Sequence, residues 1–295
     1  MSGPDYLARG VVGKANVRFS LAETCDTVTA GIFIHDLDPV SAELFGSALT
    51  TAVLASPLLD KGERFNFRWQ YDGAAGVILA DVDAQARVRG IMRHNHLMAS
   101  SADPRALFGD GGQISVVRTA DGKILNSAVA PAGLLDVADD IGHYMSTSDQ
   151  TETEFAVSLS FTSNPERPLR NACGLMLQAL PGCDLELFSV WRGRLKGEAV
   201  AEVLRSPDVQ EEARLSQALS LVFGVGRAAL GSQWGLAFEF GPRPEYHCAC
   251  SREKSRQAAL TLGKEGIDEY FSGKSQMKVE CDFCRKSYIL VRGDF

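Results

Sequence analysis

The chain has 295 residues, of which 45% are hydrophobic, 23% charged and 8% aromatic. That balance is ordinary for a globular protein and excludes a disordered tail, a collagen-like fibre and a small disulfide scaffold. The net charge of −7 disfavours a nucleic-acid binder that works through its whole surface.

At this length a single core is near its upper size, so one main domain with a smaller companion is expected. The N-terminus, Met-Ser-Gly-Pro-Asp, shows neither a basic nor an apolar leader region. The longest apolar run, residues 49–59, is broken by Thr, Ser and Pro and falls short of the ~20 residues of a membrane span. Cytoplasmic location is the resulting expectation.

Residues 17–21 (Val-Arg-Phe-Ser-Leu) alternate as a half-buried strand should. Asp38-Pro39 offers a helix N-cap followed by Pro at the first position, and the Ala/Leu-rich stretch 42–54 reads as a core helix. Residues 64–71 form a strict period-two strand with Phe65, Phe67, Trp69 and Tyr71 on one face. Asp72-Gly73 supplies a turn, and 76–82 is the return strand. A helix over 136–145 and a strand over 155–161 follow.

Beyond Gly182 the texture changes. Residues 198–205 read as a short helix. Ser206-Pro207 then reads as a cap and first-turn Pro before Leu215, Ala218, Leu219, Val222 and Phe223, which recur at helical spacing. Glycines 224, 226 and 231 end that element, residues 234–240 alternate as a strand, and Pro242 and Pro244 mark a boundary.

Several weak motifs resolve to structural roles. His94-Asn95-His96 would place two imidazoles on one strand face, without a third ligand nearby. Asp81-x-Asp83 hints at a calcium loop, but Met92 occupies the position where the bidentate acid should stand. Ser251-x-x-Lys254 is a low-specificity fragment. Cys25, Cys173 and Cys183 read as core packing.

The other four of the seven cysteines carry the chemistry: Cys248-x-Cys250 and, after a long gap, Cys281-x-x-Cys284. Two close pairs of soft ligands can complete a tetrahedral zinc shell. Between them stand few large apolar residues (Leu260, Leu262, Ile267, Tyr270, Phe271, Met277 and Val279), too few for an adequate core. His247 adjoins the first pair but is not needed by a shell of four thiolates. Either pair can also close as a local disulfide, given the short span between its members. Oxidation would then remove the ligands and with them the stability of the module.

These residues resemble the bacterial redox-regulated heat-shock chaperone family called the 33 kDa chaperonin. The resemblance is carried by residues 247–254 (His-Cys-Ala-Cys-Ser-Arg-Glu-Lys), Leu262-Gly263 and Cys281-Asp282-Phe283-Cys284. It continues in Gly62-Glu63-Arg64, 80–90 and 172–182, and spans residues 10–290. Departures are Ser148-Asp149-Gln150 in place of Ser-Glu-Gln, and the stretch 101–135, which lacks a Tyr-x-Gly turn near Asn126-Ser127.

The resemblance implies a holdase without catalytic turnover. When the protein is reduced, one zinc ion per chain on Cys248, Cys250, Cys281 and Cys284 keeps the module folded and the linker packed on the core. Oxidation of these redox-active cysteines forms disulfides 248–250 and 281–284, releases zinc and exposes apolar surface that binds unfolded or partly folded clients, with homodimerisation on activation. No specific nucleic acid and no membrane is implied. The expected fold class is α+β: a mixed α/β core domain (1–182), an amphipathic helical linker region (183–242) and a small C-terminal zinc-binding module (243–295). Two alternatives stand beside it. One is a zinc-ribbon nucleic-acid module using Arg252, Lys254, Arg256, Lys274, Lys278, Arg285 and Lys286. The other is a thiol-disulfide oxidoreductase using Cys281-x-x-Cys284.

Overall fold

The computed structural model describes residues 4–98, 103–207, 209 and 211–295. Met1, Ser2 and Gly3 of the N-terminal reading, and residues 101 and 102 of the divergent stretch, lie outside the described residues. The chain divides into two compact units, Met1–Tyr246 and His247–Phe295.

In the first unit, β1 (Tyr6–Val12), β2 (Val17–Glu23), α1 (Cys25–His35) and α2 (Pro39–Ala55) come first. Next are β3 (Glu63–Tyr71), β4 (Val77–Asp83), β5 (Arg87–Met92), α3 (Pro104–Phe108), β6 (Gly112–Ala120) and β7 (Lys123–Pro131). Then follow α4 (Val137–Thr147), β8 (Thr153–Phe161), β9 (Leu169–Ala179), α5 (Leu185–Leu195), α6 (Glu198–Arg205), α7 (Glu211–Phe223), α8 (Arg227–Ser232), β10 (Leu236–Phe240) and β11 (Glu245–Tyr246). One sheet has the order β10-β1-β2-β9-β8, and the other β11-β5-β4-β3-β6-β7.

Helix α2 lies between the two sheets, which explains its composition. A helix apolar all round belongs in an interior, and nearly every residue from Ser41 to Ala55 is buried. Its start is the one read from sequence: Asp38 accepts the Ser41 N–H at 2.8 Å, with Pro39 at the first position. Gly46 lets it approach its neighbours, since a Cβ there would lie 2.4 Å from Leu159. The aromatic face of β3 is buried as its alternation requires, with Phe67 and Trp69 fully inside. The solvent side of β3–β5 is a charge lattice in which Arg64, Arg87 and Arg89 pair with Asp81 and Asp83. Those two aspartates are occupied by arginines, in keeping with the failed calcium spacing.

The other face of the first sheet is apolar. Cross-strand rows Ala8–Leu21–Leu175 and Val12–Val17–Ala179 form it. Helices α5–α8 cover these rows with Phe188, Trp191, Leu195, Leu215, Leu219 and Val222. Polar ties fix the layer's edges: Arg192 to Glu152 and Glu154, Lys196 to Asp139, and the Asn171 amide to the Leu204 carbonyl at 2.6 Å. Asn171 and Leu204 are both on or beside the buried sheet face, so the last tie is not exposed to competing water.

Three local readings are corrected. The linker helix that carries Leu215 to Phe223 does not begin at Ser206-Pro207: α7 starts at Glu211. Ser206 instead closes α6 as its C-cap, its hydroxyl donating to the Glu202 carbonyl. Strand β10 starts at Leu236 rather than Trp234, because Gly235 adopts φ +66° and breaks the extension. Trp234 packs instead on Phe223 and Trp191, with ring centroids 5.5 and 6.0 Å away. Finally, His94 and His96 are not on a strand, since β5 ends at Met92. The His96 ring lies 3.0 Å from the Asp36 carbonyl.

In the second unit, α9 (Arg252–Leu260) and α10 (Gly263–Ser272) pack on a hairpin of β12 (Gln276–Glu280) and β13 (Ser287–Val291). Its buried apolar cluster consists of Ala259, Met277 and Leu290, with Tyr270, Phe271, Val279 and Phe295 half-buried around them.

Candidate metal centre

Two backbone devices aim four sulfurs at one point. The first is the turn between β12 and β13. Glu280 and Ser287 are the last paired residues of the hairpin. Within the turn the Cys281 N–H donates to the Lys286 carbonyl at 3.0 Å, and the Arg285 N–H to the Cys281 carbonyl at 2.8 Å. Arg285 takes φ +58° to close it. The Phe283 and Cys284 N–H groups point at the Cys281 sulfur, and the Lys286 N–H at the Cys284 sulfur. Backbone donors around sulfur stabilise thiolates.

The second device is the segment before α9. Ser251 caps that helix by accepting the Lys254 N–H at 3.2 Å. The Lys254 ammonium reaches back to the Ala249 carbonyl at 2.7 Å, pinning the residue between Cys248 and Cys250. The helix therefore begins where the tight pair ends, and one lysine fixes the pair's loop.

The four sulfurs, from Cys248, Cys250, Cys281 and Cys284, all lie within 4.8 Å of one another. Cys248 and Cys281 are 3.7 Å apart, and Cys250 and Cys284 are 3.4 Å apart. Zinc–sulfur bonds of about 2.3 Å place tetrahedral ligands about 3.8 Å apart, so the donor set and its spacing fit that ion. Among the described residues this is the one group of three or more His, Cys, Asp or Glu within metal-binding reach, and His247 is not part of it.

Crowding sulfurs together has an electrostatic consequence. Burial pushes the Cys250 thiol up, but hydrogen bonds, first from the Tyr288 hydroxyl 3.1 Å away and then from the neighbouring thiols, outweigh it and leave it at about 7. Burial pushes Cys281 up and Cys284 up to about 12, and a second negative charge beside the first adds to the cost. A cation at the centre reverses that penalty. Tyr288 is not marked in the sequence as a site residue; Lys254 stands in the 247–254 motif, but its bond to the Ala249 carbonyl is seen only in the structure.

The remaining candidates are placed as follows. Cys25 and Cys173 are buried in different clusters and Cys183 is half-buried. Burial pushes the Cys173 thiol up to about 12, which makes it unreactive. Cys281-x-x-Cys284 occupies a turn between two antiparallel strands. Of the basic residues on this unit, Arg252 pairs with Asp294, Arg256 with Glu253, and Lys278 and Arg285 with Glu280. Lys274 and Lys286 stand over the rings of Tyr270 and Tyr288.

Comparison with known proteins agrees with this geometry. The 33 kDa chaperonin of Geobacillus kaustophilus is 26% identical over 289 residues, covering 96% of this chain and 94% of that protein. The protein of the same description from Listeria monocytogenes is 25% identical over 291 residues, with the same coverage. Among solved structures, the 33 kDa chaperonin (heat shock protein 33 homolog) of Thermotoga maritima superposes with a TM-score of 0.82 at 20% identity. That superposition covers 99% of this chain and 96% of the other, so the fold is shared. The sequence profile described as Hsp33 protein matches residues 5–290. The chain belongs to the Hsp33 protein family.

Proposed function

We propose that the protein is a redox-regulated holdase whose four clustered cysteines are both metal ligands and redox switch. The observation that carries this reading is a four-sulfur centre in a unit whose own apolar cluster has only three buried members. Zinc, one ion per chain in the reduced state, would supply the cross-link that this unit lacks, worth about 10–16 kcal/mol in structural sites. Cys248, Cys250, Cys281 and Cys284 hold it as thiolates.

The oxidant class in this reading is a peroxide. Within each pair, one thiolate sulfur attacks a peroxide oxygen: the O–O bond breaks, that oxygen stays on sulfur as a sulfenic acid, and the other leaves as hydroxide or water. The second sulfur then attacks the sulfenic sulfur, the S–O bond breaks and hydroxide or water leaves, so that one S–S bond forms as two electrons pass to one peroxide. The family resemblance implies that the bonds are 248–250 and 281–284, each within one short segment, and this is the pairing we propose. The tether that follows β10 then becomes flexible. Helices α5–α8 detach, and the face carrying Leu21, Leu175 and Leu177 becomes available to unfolded or partly folded clients. Homodimerisation on activation belongs to the same reading. So does division into a core (1–182), a helical linker (183–242) and a metal-binding switch (243–295). A thiol switch of this kind works in a compartment that keeps thiols reduced, which is why we place it in the cytoplasm. No helix among the described residues is long and apolar enough to cross a membrane.

Neither alternative is favoured. A thiol-disulfide oxidoreductase would present Cys-x-x-Cys at a helix start, and here it lies in a hairpin turn. The basic residues that a nucleic-acid module would use are engaged with acids, carbonyls or rings.

Peptide mapping after peroxide treatment and alkylation tests the pairing. Bonds 248–250 and 281–284 are expected. A bridge from Cys248 to Cys281, or from Cys250 to Cys284, would overturn it. Tyr288→Phe removes the hydroxyl that supports the Cys250 sulfur, and is expected to lower metal affinity about tenfold in chelator competition. Unchanged affinity would reduce that hydrogen bond to a packing contact.

A further inference from the structure

At one end of the first sheet, Tyr6, Glu23 and Cys173 are cross-strand neighbours on β1, β2 and β9. They stand on the same face as the apolar rows under α5–α8. Arg214 of α7 reaches onto this row, and its side chain and that of Glu23 are each 2% exposed. One guanidinium nitrogen donates to Glu23 Oε2, and another to the Ser206 carbonyl at the end of α6. A buried ion pair therefore joins the helical layer to the sheet within an otherwise apolar interface.

The pair is incompletely compensated. Tyr6 Oη, Glu23 Oε1 and Arg214 Nε make no well-aligned hydrogen bond among the described residues, although Tyr6 and Cys173 face Arg214 and the Ala172 backbone faces Glu23. Burial pushes the Glu23 carboxyl up to about 7 even with Arg214 beside it. Attraction between buried charges offsets their desolvation only when the remaining hydrogen-bonding capacity is met. Removing one partner leaves a stranded charge, whereas replacing both by apolar groups of similar size removes the cost altogether.

We infer that Glu23 and Arg214 form a built-in release point: the pair sets the register of the helical layer on the sheet while keeping its docking weak enough to detach. The consequence for client binding rests on the holdase reading, but the docking itself does not. The row is made only by register. Glu23 ends β2 and Arg214 lies far along the chain on α7, so neither is marked in the sequence.

Hydrogen exchange on the full-length, reduced, metal-loaded protein tests this. Arg214→Met is expected to speed exchange across α7 at least tenfold while leaving β3–β5 and the metal content unchanged. The double variant Glu23→Leu/Arg214→Met is expected to restore protection to the wild-type level or above. After peroxide treatment it should lengthen the delay between thiol oxidation and aggregation suppression at least threefold. Exchange in α7 of Arg214→Met within twofold of wild type would overturn the inference, as would a double variant as loose as the single one. Should Arg214→Met fail to fold, Glu23→Gln keeps the side-chain shape and carries the same comparison. If exchange follows the expected pattern while no form suppresses aggregation, the release point stands and the holdase reading fails instead.

Discussion

Chelating the metal from the reduced protein is expected to unfold residues 247–295, loosen the helical layer α5–α8, and leave the two sheets and α2 folded. The terminal unit buries Ala259, Met277 and Leu290 in one cluster, while Leu260 and Leu262 are 41% and 55% exposed. An interior that small does not offset the conformational entropy of ordering its chain. Loss of a contribution of about 10–16 kcal/mol therefore leaves the unit unfolded rather than weakened. Limited proteolysis with and without a strong chelator reads this directly, with new cleavage in 247–295 and in the helical layer that loosens with it, and none in the sheets or α2. Cys281→Ser should act the same way, lowering metal affinity by about 100-fold or more, because a hydroxyl is a poor replacement for a thiolate. Protease protection of 247–295 that survives metal removal would contradict the stability assignment.

Trp191→Ala should make the reduced protein bind clients without oxidant. Trp191 is buried in the helical layer, with its ring centroid 4.8 Å from that of Phe223 and 6.0 Å from that of Trp234. Truncating such a side chain costs about 3–5 kcal/mol, and here the cost falls on the contact between α5–α8 and the sheet. Phe45→Ala is the matched control. Phe45 is equally buried, on α2 between the sheets, and belongs to the other cluster. Its loss should lower overall stability by a similar amount without removing the need for oxidant. Light scattering of a heat-aggregating client, with an apolar dye to report exposed surface, distinguishes the two. Equal behaviour of the variants would mean that the helical layer has no special role in covering the binding surface.

What the sequence makes legible here is local. The aromatics of β3 declare a strand because period two needs no knowledge of partners, and the Asp38-Pro39 start of α2 follows from a cap and a ring-fixed φ. Residues 198–205 form a helix over the span that their apolar spacing indicates. The cysteine spacing is equally local, since each pair presents its sulfurs from one short turn. What escaped reading depends on distant partners. The alternation of 234–240 marks β10 as a strand, but its start at Leu236 and its partner β1, from Ala8↔Phe240 to Val12↔Leu236, are not marked in it. Helix α1 mixes β-branched residues with glycine and has no amphipathic stripe to read, because it packs against α2, β9 and β5. The β6–β7 hairpin in the divergent stretch carries exposed Ile124, Leu125 and Val129, which breaks the usual apolar-in, polar-out signal. Tyr288 and the Glu23–Arg214 pair exist as site features only once register and helix docking are formed.

The coupling of metal, thiols and client binding is tested most directly on one sample with two readouts. Reduced, metal-loaded protein is treated with peroxide at heat-shock temperature while a chromogenic chelator reports released zinc and light scattering follows a heat-aggregating client. The account predicts that one zinc per chain is released and that aggregation falls on the same time course. Zinc that stays bound without suppression, or suppression that precedes any release, would contradict it.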